Sequence, residues 1–283
     1  MGWNGFEVID AHTHILPPEI IQRAGLYEER DEHFRNLAKS PRNRYATAED
    51  LIQEMDRTGV SLAVTFGFAF KDPGACREVN DYVAASIARY PDRLVGFMCV
   101  NPSDPDLEGE VARCVAAGLR GIGELFPDGQ GFRLDGGTGD LAALCVEAGL
   151  PLLVHVNEKV GHSYPGKGRQ GAEEAYALAA RNPGLRVCYA HWGGGLVFYE
   201  LMPEVRRAME AVYYDTAASP FLYDPRIYEA ISVSGVQGKV MFGSDYPLLS
   251  PERYFRQFEA LSLPERDMQL ILSENARGFL GLK

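Results

Sequence analysis

Short apolar runs rich in β-branched residues recur along the whole chain, and more polar segments separate them. Buried strands of a parallel sheet form continuous apolar runs of this kind, because helices cover both faces of the sheet. Eight runs therefore predict strands, over residues 8–11, 62–66, 94–100, 121–125, 152–156, 187–190, 212–216 and 240–243. This pattern predicts an α/β fold with parallel strands.

The segments between these runs have the spacing of amphipathic helices. Four of them predict helices that a glycine or a proline follows, over residues 48–58, 80–90, 141–148 and 173–180. Eight strand–helix units in a chain of this length favour a closed (β/α)8 TIM barrel, a single domain over residues 1–283, over an open doubly wound sheet. Periodicity alone leaves both topologies open.

Two predicted connections are much longer than the others. Residues 16–47 follow the first strand, and residues 157–171 follow the fifth. Both would begin at the carboxyl end of a strand, which is the end of a barrel that carries the chemistry. We therefore expect these two loops to form walls or lids of a substrate site.

Composition and charge narrow the classes of partner. The chain has 283 residues, of which 46% are hydrophobic, with a formal net charge of −11. Binding to nucleic acid or to anionic lipid needs a basic face, so neither is expected. The first residues lack the features of a signal peptide, and the five cysteines form no Cys-x-x-Cys pair. We expect a cytoplasmic protein that acts on a small molecule.

The most informative motif is the histidine pair His12-Thr13-His14, directly after the first apolar run. Alternate side chains of a strand share a face, so His12 and His14 would point the same way and could grip one metal ion. In a helix they would lie about 200° apart. The ordinary alternative is a pair of polar residues at the start of a loop.

Other ligand-type side chains occupy the same position at the ends of later strands. They are Glu124, His155, His191 and Asp245, on the fourth, fifth, sixth and eighth predicted strands. Each has an ordinary interpretation when taken alone: a carboxylate paired with an arginine, a hydrogen-bonded core histidine, or a turn residue. Together they predict a metal site, because several unpaired ionisable groups in one place are costly and a metal removes that cost.

The motifs that carry these side chains resemble the amidohydrolase superfamily. They are Asp-Ala-His-Thr-His, Gly-Ile-Gly-Glu, Ala-His-Trp-Gly-Gly and Gly-Ser-Asp-Tyr-Pro, followed by Glu-Asn-Ala near the C-terminus. Their order and spacing resemble in particular the amidohydrolase-related branch, which also contains aminocarboxymuconate semialdehyde decarboxylase. The resemblance extends from Val8 to about Asn275, and it too implies a TIM barrel.

The resemblance also implies roles for individual residues. His12, His14, His155 and Asp245 would bind a divalent metal, with zinc the usual ion and manganese the alternative, and His191 would lie beside the bound water or substrate. The carboxylate of Glu124 would either bridge two ions or assist a single one. Both versions of the site stay open, so we expect one or two ions.

Hydrolysis is the reaction that this chemistry favours. Zinc lowers the pKa of bound water towards about 7, and Asp245 would act as general base while His191 stabilises the oxyanion. The substrate would be a small carboxylate-bearing lactone, amide or similar compound. The alternative is nonoxidative decarboxylation, with Asp245 or His191 supplying the proton, although the first-strand motif differs from the Glu-x-His of some decarboxylases. A noncatalytic metal-binding barrel is the second alternative.

Basic side chains in the two long loops predict where such a substrate binds. Lys159 and His162 lie in the loop after strand five, Arg44 lies in the loop after strand one, and Asn157 ends strand five. These four are the candidate substrate-binding residues. The aromatic residues in segments 198–199 and 220–223 are candidates for a dimer interface, so we also expect that the protein could form a homo-oligomer.

Overall fold

The computed structural model describes residues 2–136 and 138–282. Its frame is a set of eight parallel strands, numbered here in chain order. They are β1 Ile9–His14, β2 Leu62–Phe66, β3 Leu94–Gly96, β4 Ile122–Leu125, β5 Leu152–Val154, β6 Val187–Tyr189, β7 Val212–Asp215 and β8 Val240–Met241. The prediction of a parallel α/β fold is confirmed.

Helices connect these strands. Those before β5 are Pro18–Gln22, Ala24–Arg30, Glu32–Ala38, Ala48–Thr58, Pro73–Arg89, Leu107–Ala116, Pro127–Gln130 and Gly139–Ala148. Those after β5 are Ala172–Arg181, the short turn Ala190–Gly193, Leu196–Tyr199, Pro203–Ala208, Ser219–Leu222, Ile227–Ser234, the 3-10 turn Gln237–Lys239, Pro251–Glu259, Glu265–Gln269, the π-helical Leu270–Glu274 and Asn275–Leu280.

Hydrogen bonds at two seams close the strands into a barrel. Strands β1–β3 form one ladder and β4–β8 form another. At the first seam, the amide of Gly123 donates to the carbonyl of Met98 over 2.8 Å. At the second, the amide of Ala11 donates to Phe242 over 2.8 Å and that of His14 to Tyr246 over 2.7 Å. The chain is therefore a TIM barrel, as predicted.

All predicted strands and helices are present, but most of their bounds differ from the sequence pattern by one to several residues: β1 extends to His14, and β3 ends already at Gly96. Helix Ala48–Thr58 and strand β2 lie where the pattern puts them. The helix predicted over residues 80–90 begins earlier, at Pro73, because the Asp72 carboxylate caps it by accepting from the amide of Gly74 over 3.1 Å. A proline at the first helical position favours the same start.

Successive strand residues contribute to two different clusters of the core. Ile9 and Ala11 belong to one cluster, together with Leu153 and Cys188. Val8 and Leu152 belong to the other. This alternation is expected for barrel strands, whose side chains point in turn to the interior and to the surrounding helices.

The long segment after β1 folds into three short helices rather than an open loop. The last of them, Glu32–Ala38, begins after Asp31, whose carboxylate accepts from the amides of Phe34 over 2.8 Å and Lys71 over 2.9 Å. These bonds tie the segment to the loop that follows β2. His33 and Phe34 are buried as a result.

The predicted surface features are less uniform. Phe198 and Tyr199 are 38% and 56% exposed, while Phe221 and Tyr223 are half-buried. An oligomer through these residues stays a prediction. Among the described residues, no helix is both long and apolar enough to cross a membrane.

Candidate metal centre and cavity

The first group of donor atoms forms where β1 meets the end of β8. Nε2 of His12 and Nε2 of His14 lie 3.2 Å apart, so the two rings converge. Oδ1 of Asp245 lies 3.7 Å from the first of these nitrogens and 3.4 Å from the second. Asp245 is held there by its own amide, which donates to the carbonyl of His12 over 2.9 Å.

The second group comes from β4, β5 and the turn after β6. Nδ1 of His155 lies 2.9 Å from Oε1 of Glu124 and 3.0 Å from Nε2 of His191. Gly123 makes room for this arrangement: a Cβ at this position would lie 2.3 Å from the carbonyl oxygen of Leu153. Glycine also tolerates the φ of +133° found there.

The backbone is strained at two of these side chains. His191 has φ 57° and Asp245 has φ 64°, in the left-handed region that non-glycine residues seldom occupy. Such strain persists only where the surroundings enforce it, and it concentrates at functional sites. In both residues this backbone conformation directs the side chain, which follows the end of a strand, towards the other donor atoms.

Glu124 connects the two groups. Its Oε2 lies 3.5 Å from Nε2 of His12 and 3.6 Å from Nε2 of His14, while its Oε1 faces His155 and His191. One carboxylate therefore presents one oxygen to each group. We call the six side chains together the floor: His12, His14, Glu124, His155, His191 and Asp245.

Acceptors on the outer side fix two of the floor histidines. Nδ1 of His12 lies 2.8 Å from Oδ2 of Asp215, and Nδ1 of His191 lies 2.9 Å from the carbonyl oxygen of Ala217. Because these oxygens only accept, each Nδ1 carries a proton and each Nε2 presents its lone pair to the floor. Asp215 also accepts from the amide of His191 over 2.9 Å.

The other two floor histidines follow the same rule. Nε2 of His155 donates to Oδ1 of Asn157 over 3.2 Å, which leaves Nδ1 for the floor. Nδ1 of His14 makes a longer contact of 3.4 Å with the carbonyl of Gly67. Partners of this kind typically orient histidines that bind metals.

The lone pairs of the floor nitrogens and carboxylate oxygens face one another and repel, so they need a proton or a cation between them. Burial alone would lower the pKa of His12, but the carboxylates of Asp215 and Glu124 raise it well above its usual value. Burial opposes the charge of Glu124 as well, yet His12 and His155 hold its pKa well below the usual range. Without a metal, these shifts favour a proton on His12 and negative charge on Glu124.

A divalent cation fits this floor. Two sets each bring three donor atoms within 4.8 Å of one another: His12, His14 and Asp245, and Glu124, His155 and His191. A cation would take the place of the protons, satisfy the facing lone pairs and neutralise the carboxylates. Imidazole nitrogens and carboxylate oxygens suit both zinc and manganese.

A cavity of about 250 Å³ lies next to the floor. Five floor side chains line it, and its walls are largely aromatic, with Phe34, Phe68 and Phe126 among them. Arg42 and Arg44, which are exposed, line it as well. The cavity thus passes from the donor atoms of the floor through apolar walls to a basic rim.

The four predicted substrate-binding residues have different environments. Arg44 and His162 line the cavity. Within the described part of the chain, Lys159 and Asn157 are outside the lining: Lys159 pairs with Glu174 over 2.9 Å, and Asn157 holds His155. The structure thus brings two of the four to the cavity.

Sequence reasoning missed two residues near the site. Asp215 ends β7, so the rule that located the other strand-end ligands could have found it too. His33 lines the cavity from helix Glu32–Ala38. Nothing in its sequence neighbourhood indicates that position, because it depends on how the segment after β1 packs.

Comparisons with known proteins agree with this geometry. The family model described as Amidohydrolase matches residues 9–282. The chain is also 25% identical to a 2-amino-3-carboxymuconate-6-semialdehyde decarboxylase from Dictyostelium discoideum, over 97% of this chain and 91% of that protein. The match to the relative is distant, but it spans nearly all of both chains.

Two solved structures share the fold. One is the 5-carboxyvanillate decarboxylase of Novosphingobium aromaticivorans, complexed with manganese and 4-hydroxy-3-methoxy-5-nitrobenzoic acid; it is 21% identical with a TM-score of 0.76, over 100% of this chain and 98% of that one. The other is a probable 2-pyrone-4,6-dicarboxylic acid hydrolase from Acinetobacter baumannii, 15% identical with a TM-score of 0.65, over 98% and 100%. With a family match over residues 9–282, the chain belongs to the amidohydrolase family.

Proposed function

We propose that this chain is a metal-dependent enzyme that removes a carboxylate from a small, flat carboxylic acid without an oxidant. The observation that carries the proposal is the cavity, which has cation-binding donors at one end and aromatic walls above them. The Dictyostelium relative, named as a decarboxylase, supports it, as does the manganese-containing decarboxylase of the same fold. The similarity to these two decarboxylases favours decarboxylation more strongly than the different first-strand motif disfavours it.

The floor would hold the cation through His12, His14, Asp245 and His155. When bound, a divalent cation supplies positive charge that stabilises the negative charge developing on the substrate. We propose zinc or manganese, since the donor set suits both. Glu124 would share its carboxylate between the two donor groups.

Side chains of the floor would move the proton. Decarboxylation breaks the carbon–carbon bond to the carboxylate, releases carbon dioxide and leaves an electron pair on the substrate carbon. Asp245 lines the cavity, so its carboxylate would take up a proton from water and pass it to that carbon. His191 lines it too, with Nδ1 fixed by Ala217, so its Nε2 would position a substrate oxygen.

The walls and rim would bind the rest of the substrate. Phe34, Phe68 and Phe126 would pack against its flat body and exclude water. Arg44 and His162 would contact a polar group at its outer end. Asn157 and Lys159 would act indirectly, by orienting His155 and by fixing the loop after β5 to Glu174.

Hydrolysis is a second candidate, and one observation favours it. Glu124 presents one oxygen to each of two donor sets, an arrangement that could hold two cations. Two-metal sites are frequent in enzymes that use water as nucleophile. In that reaction Asp245 would accept a proton from water and pass it to the leaving group, while His191 stabilises the oxyanion.

An isotope experiment separates the candidates. Protein loaded with manganese or with zinc is incubated in D2O with carboxyl-13C aromatic and unsaturated acids, 5-carboxyvanillate among them. Labelled carbon dioxide and one deuterium at the carbon that lost the carboxylate would support decarboxylation. A parallel panel of lactones and amides in H2 18O would reveal hydrolysis by incorporation of 18O.

The Asp245→Asn variant is the control for both panels. Decarboxylation that persists at full rate in this variant would contradict the proposed role of Asp245. Turnover of the lactones or amides with no carbon dioxide release would favour the hydrolase. Metal binding with no turnover in either panel would favour a noncatalytic barrel.

A further inference from the structure

His33 is a buried polar side chain in the cavity wall that the proposed reaction does not use. It is 7% exposed and belongs to helix Glu32–Ala38, in the segment after β1. Its ring stacks on Phe126 with centroids 3.7 Å apart and planes 19° apart, and on Phe68 at 5.5 Å and 27°. Both aromatic partners also line the cavity.

The fold makes a specific slot for this ring. A Cβ on Gly129 would lie 2.6 Å from Cγ of His33, so the glycine is needed for the ring to fit. Phe126 also packs against the ring of His155, with centroids 4.2 Å apart. The ring of His33 is therefore connected to the floor through a single aromatic side chain.

The ring nitrogens of His33 have no hydrogen-bond partner among residues 2–136 and 138–282; its contacts are aromatic rings and the glycine slot. A polar group in a cavity wall is open to water while the cavity is empty, and a ligand that displaces this water must replace its hydrogen bonds. A phenylalanine or leucine would pack in the slot without offering such a bond. The polar edge of His33 therefore points to a partner that enters the cavity.

The surroundings indicate what kind of partner this is. His33 lies between aromatic rings and forms no ion pair among the described residues, and burial outweighs the charge of Glu124, so its imidazole is neutral, with one N–H donor and one acceptor nitrogen. It has no charge to attract an anion, and the arginines of the rim already do so. A hydroxyl group both donates and accepts, so it matches either nitrogen.

We propose that His33 determines substrate specificity by hydrogen bonding to a hydroxyl substituent on the flat acid in the cavity. The inference rests on the proposed function only in placing a flat carboxylic acid there. His33 would hold the substituent while the floor holds the carboxylate, and it would fix the rotation of the substrate between the aromatic walls. It is a specificity-determining residue, not a carrier of the reacting proton.

Calorimetric binding tests this role without turnover. Benzoate and its three monohydroxy isomers are titrated into zinc-loaded protein, wild type and His33→Phe. We expect the wild type to bind one isomer about tenfold more tightly than benzoate. In His33→Phe this preference should fall below about twofold while the affinity for benzoate stays unchanged. His33→Gln, which retains an amide donor and acceptor, should recover part of the preference.

Matched variants and a spectroscopic signature exclude a packing effect. Phe221→Leu changes another aromatic side chain of the cavity, apart from the rings stacked on His33, so it should weaken all four acids equally. In 15N spectra, the signals of His33 are those that the His33→Phe variant lacks. In the wild type, these signals should shift when the preferred isomer binds and stay unchanged when benzoate binds. If His33→Phe does not fold, His33→Leu takes its place.

Three results would overturn the proposal: a wild type with no preference, including one that binds none of the four acids; a preference that survives in His33→Phe; or equal weakening of benzoate and the isomer. An ordered water that stays on His33 in crystals with the preferred isomer would overturn it too. The decarboxylase proposal fails separately, by the absence of carbon dioxide release, because these titrations measure binding alone.

Discussion

The histidines around the cavity occupy two contrasting environments. In the floor, His12, His155 and His191 each direct one nitrogen at other donors and the other nitrogen at an acceptor. In the wall, His33 lies between aromatic rings with neither kind of partner among the described residues. The same side chain thus faces other donor atoms in one place, where we propose a cation, and aromatic rings in the other, where we propose a neutral hydroxyl group of the substrate.

The pKa values of the floor and wall histidines differ in the same way as their surroundings. Burial alone would lower the pKa of His191, but hydrogen bonding and charge from Glu124 raise it to about 9. Burial lowers the pKa of His33 to about 3, with a smaller contribution from His155. Neighbouring carboxylates, more than depth, therefore decide which histidines carry a proton or a metal.

The largest effect is expected from Asp245→Asn, which removes the proposed proton carrier of the floor. The amide keeps the shape of the side chain but can neither give nor take the proton, so turnover should fall by roughly 10²–10⁴-fold. Steady-state assays on the most active substrate of the panel measure this loss. An unchanged unfolding midpoint would show that the fold is intact, and wild-type turnover would exclude Asp245 as the proton carrier.

Asp215→Asn sharpens the comparison because it weakens the hydrogen bonds that hold two floor histidines in position. Asp215 is fully buried and holds both the ring of His12 and the amide of His191. Losing such a partner typically costs 10–100-fold in metal affinity. Competition with a chromogenic chelator measures it. Asp224→Asn, which removes an exposed partner of Arg226, should leave the affinity unchanged; equal effects of the two variants would contradict this role.

Asn157→Leu should have a smaller effect of the same kind. Oδ1 of Asn157 accepts from His155 and from the amide of Gly168, so leucine frees one floor histidine and loosens the loop after β5. We expect metal affinity to fall by about tenfold. Asn157→Asp keeps the acceptor and should bind metal nearly as well as the wild type. If the two variants bind equally, the hydrogen bond does not orient His155.

The smallest effect concerns stability and the wall histidine. His33 has a pKa of about 3 when folded and near 6.5 when unfolded, so the unfolded chain binds the extra proton as the pH falls through this window. Its contribution to stability is complete above pH 6.5 and declines below it. When the pH falls from 7.5 to 5.5, the free energy of unfolding of His33→Phe should therefore decrease by about 1.4 kcal/mol less than that of the wild type.

Urea unfolding at both pH values measures this difference. Phe221→Leu retains His33 and the two rings stacked on it, so it serves as a control that should follow the pH dependence of the wild type. An identical pH dependence in wild type and His33→Phe would mean that His33 is protonated in the folded chain. The contrast between wall and floor would then be lost.

Local patterns predict the frame well because strands and helices follow from them. Strand β2 and helix Ala48–Thr58 have the predicted bounds, since apolar periodicity and a glycine stop act within a few residues. The helix from Pro73 was predicted too short because its cap, Asp72, lies outside the apolar pattern. Closure of the barrel depends on bonds between β1 and β8, which no local pattern contains.

The same distinction applies to the site. The floor residues were predictable because parallel strands bring their carboxyl ends together, whatever the intervening sequence. Lys159 was expected at the cavity, but Glu174 on the next helix pairs with it. His33 was missed because its position depends on packing between the segment after β1 and the end of β4. Spacing along the chain contains no information on that contact.

The most direct test of the central claim, that the floor holds a catalytic divalent cation, is anomalous diffraction from crystals of active protein prepared with manganese. We predict an anomalous peak bounded by His12, His14 and Asp245, with a second one beside Glu124, His155 and His191 if two ions bind. Loss of that peak after chelation should accompany loss of turnover, and both should return with the metal. Full turnover by protein with no ion at the floor would contradict the claim.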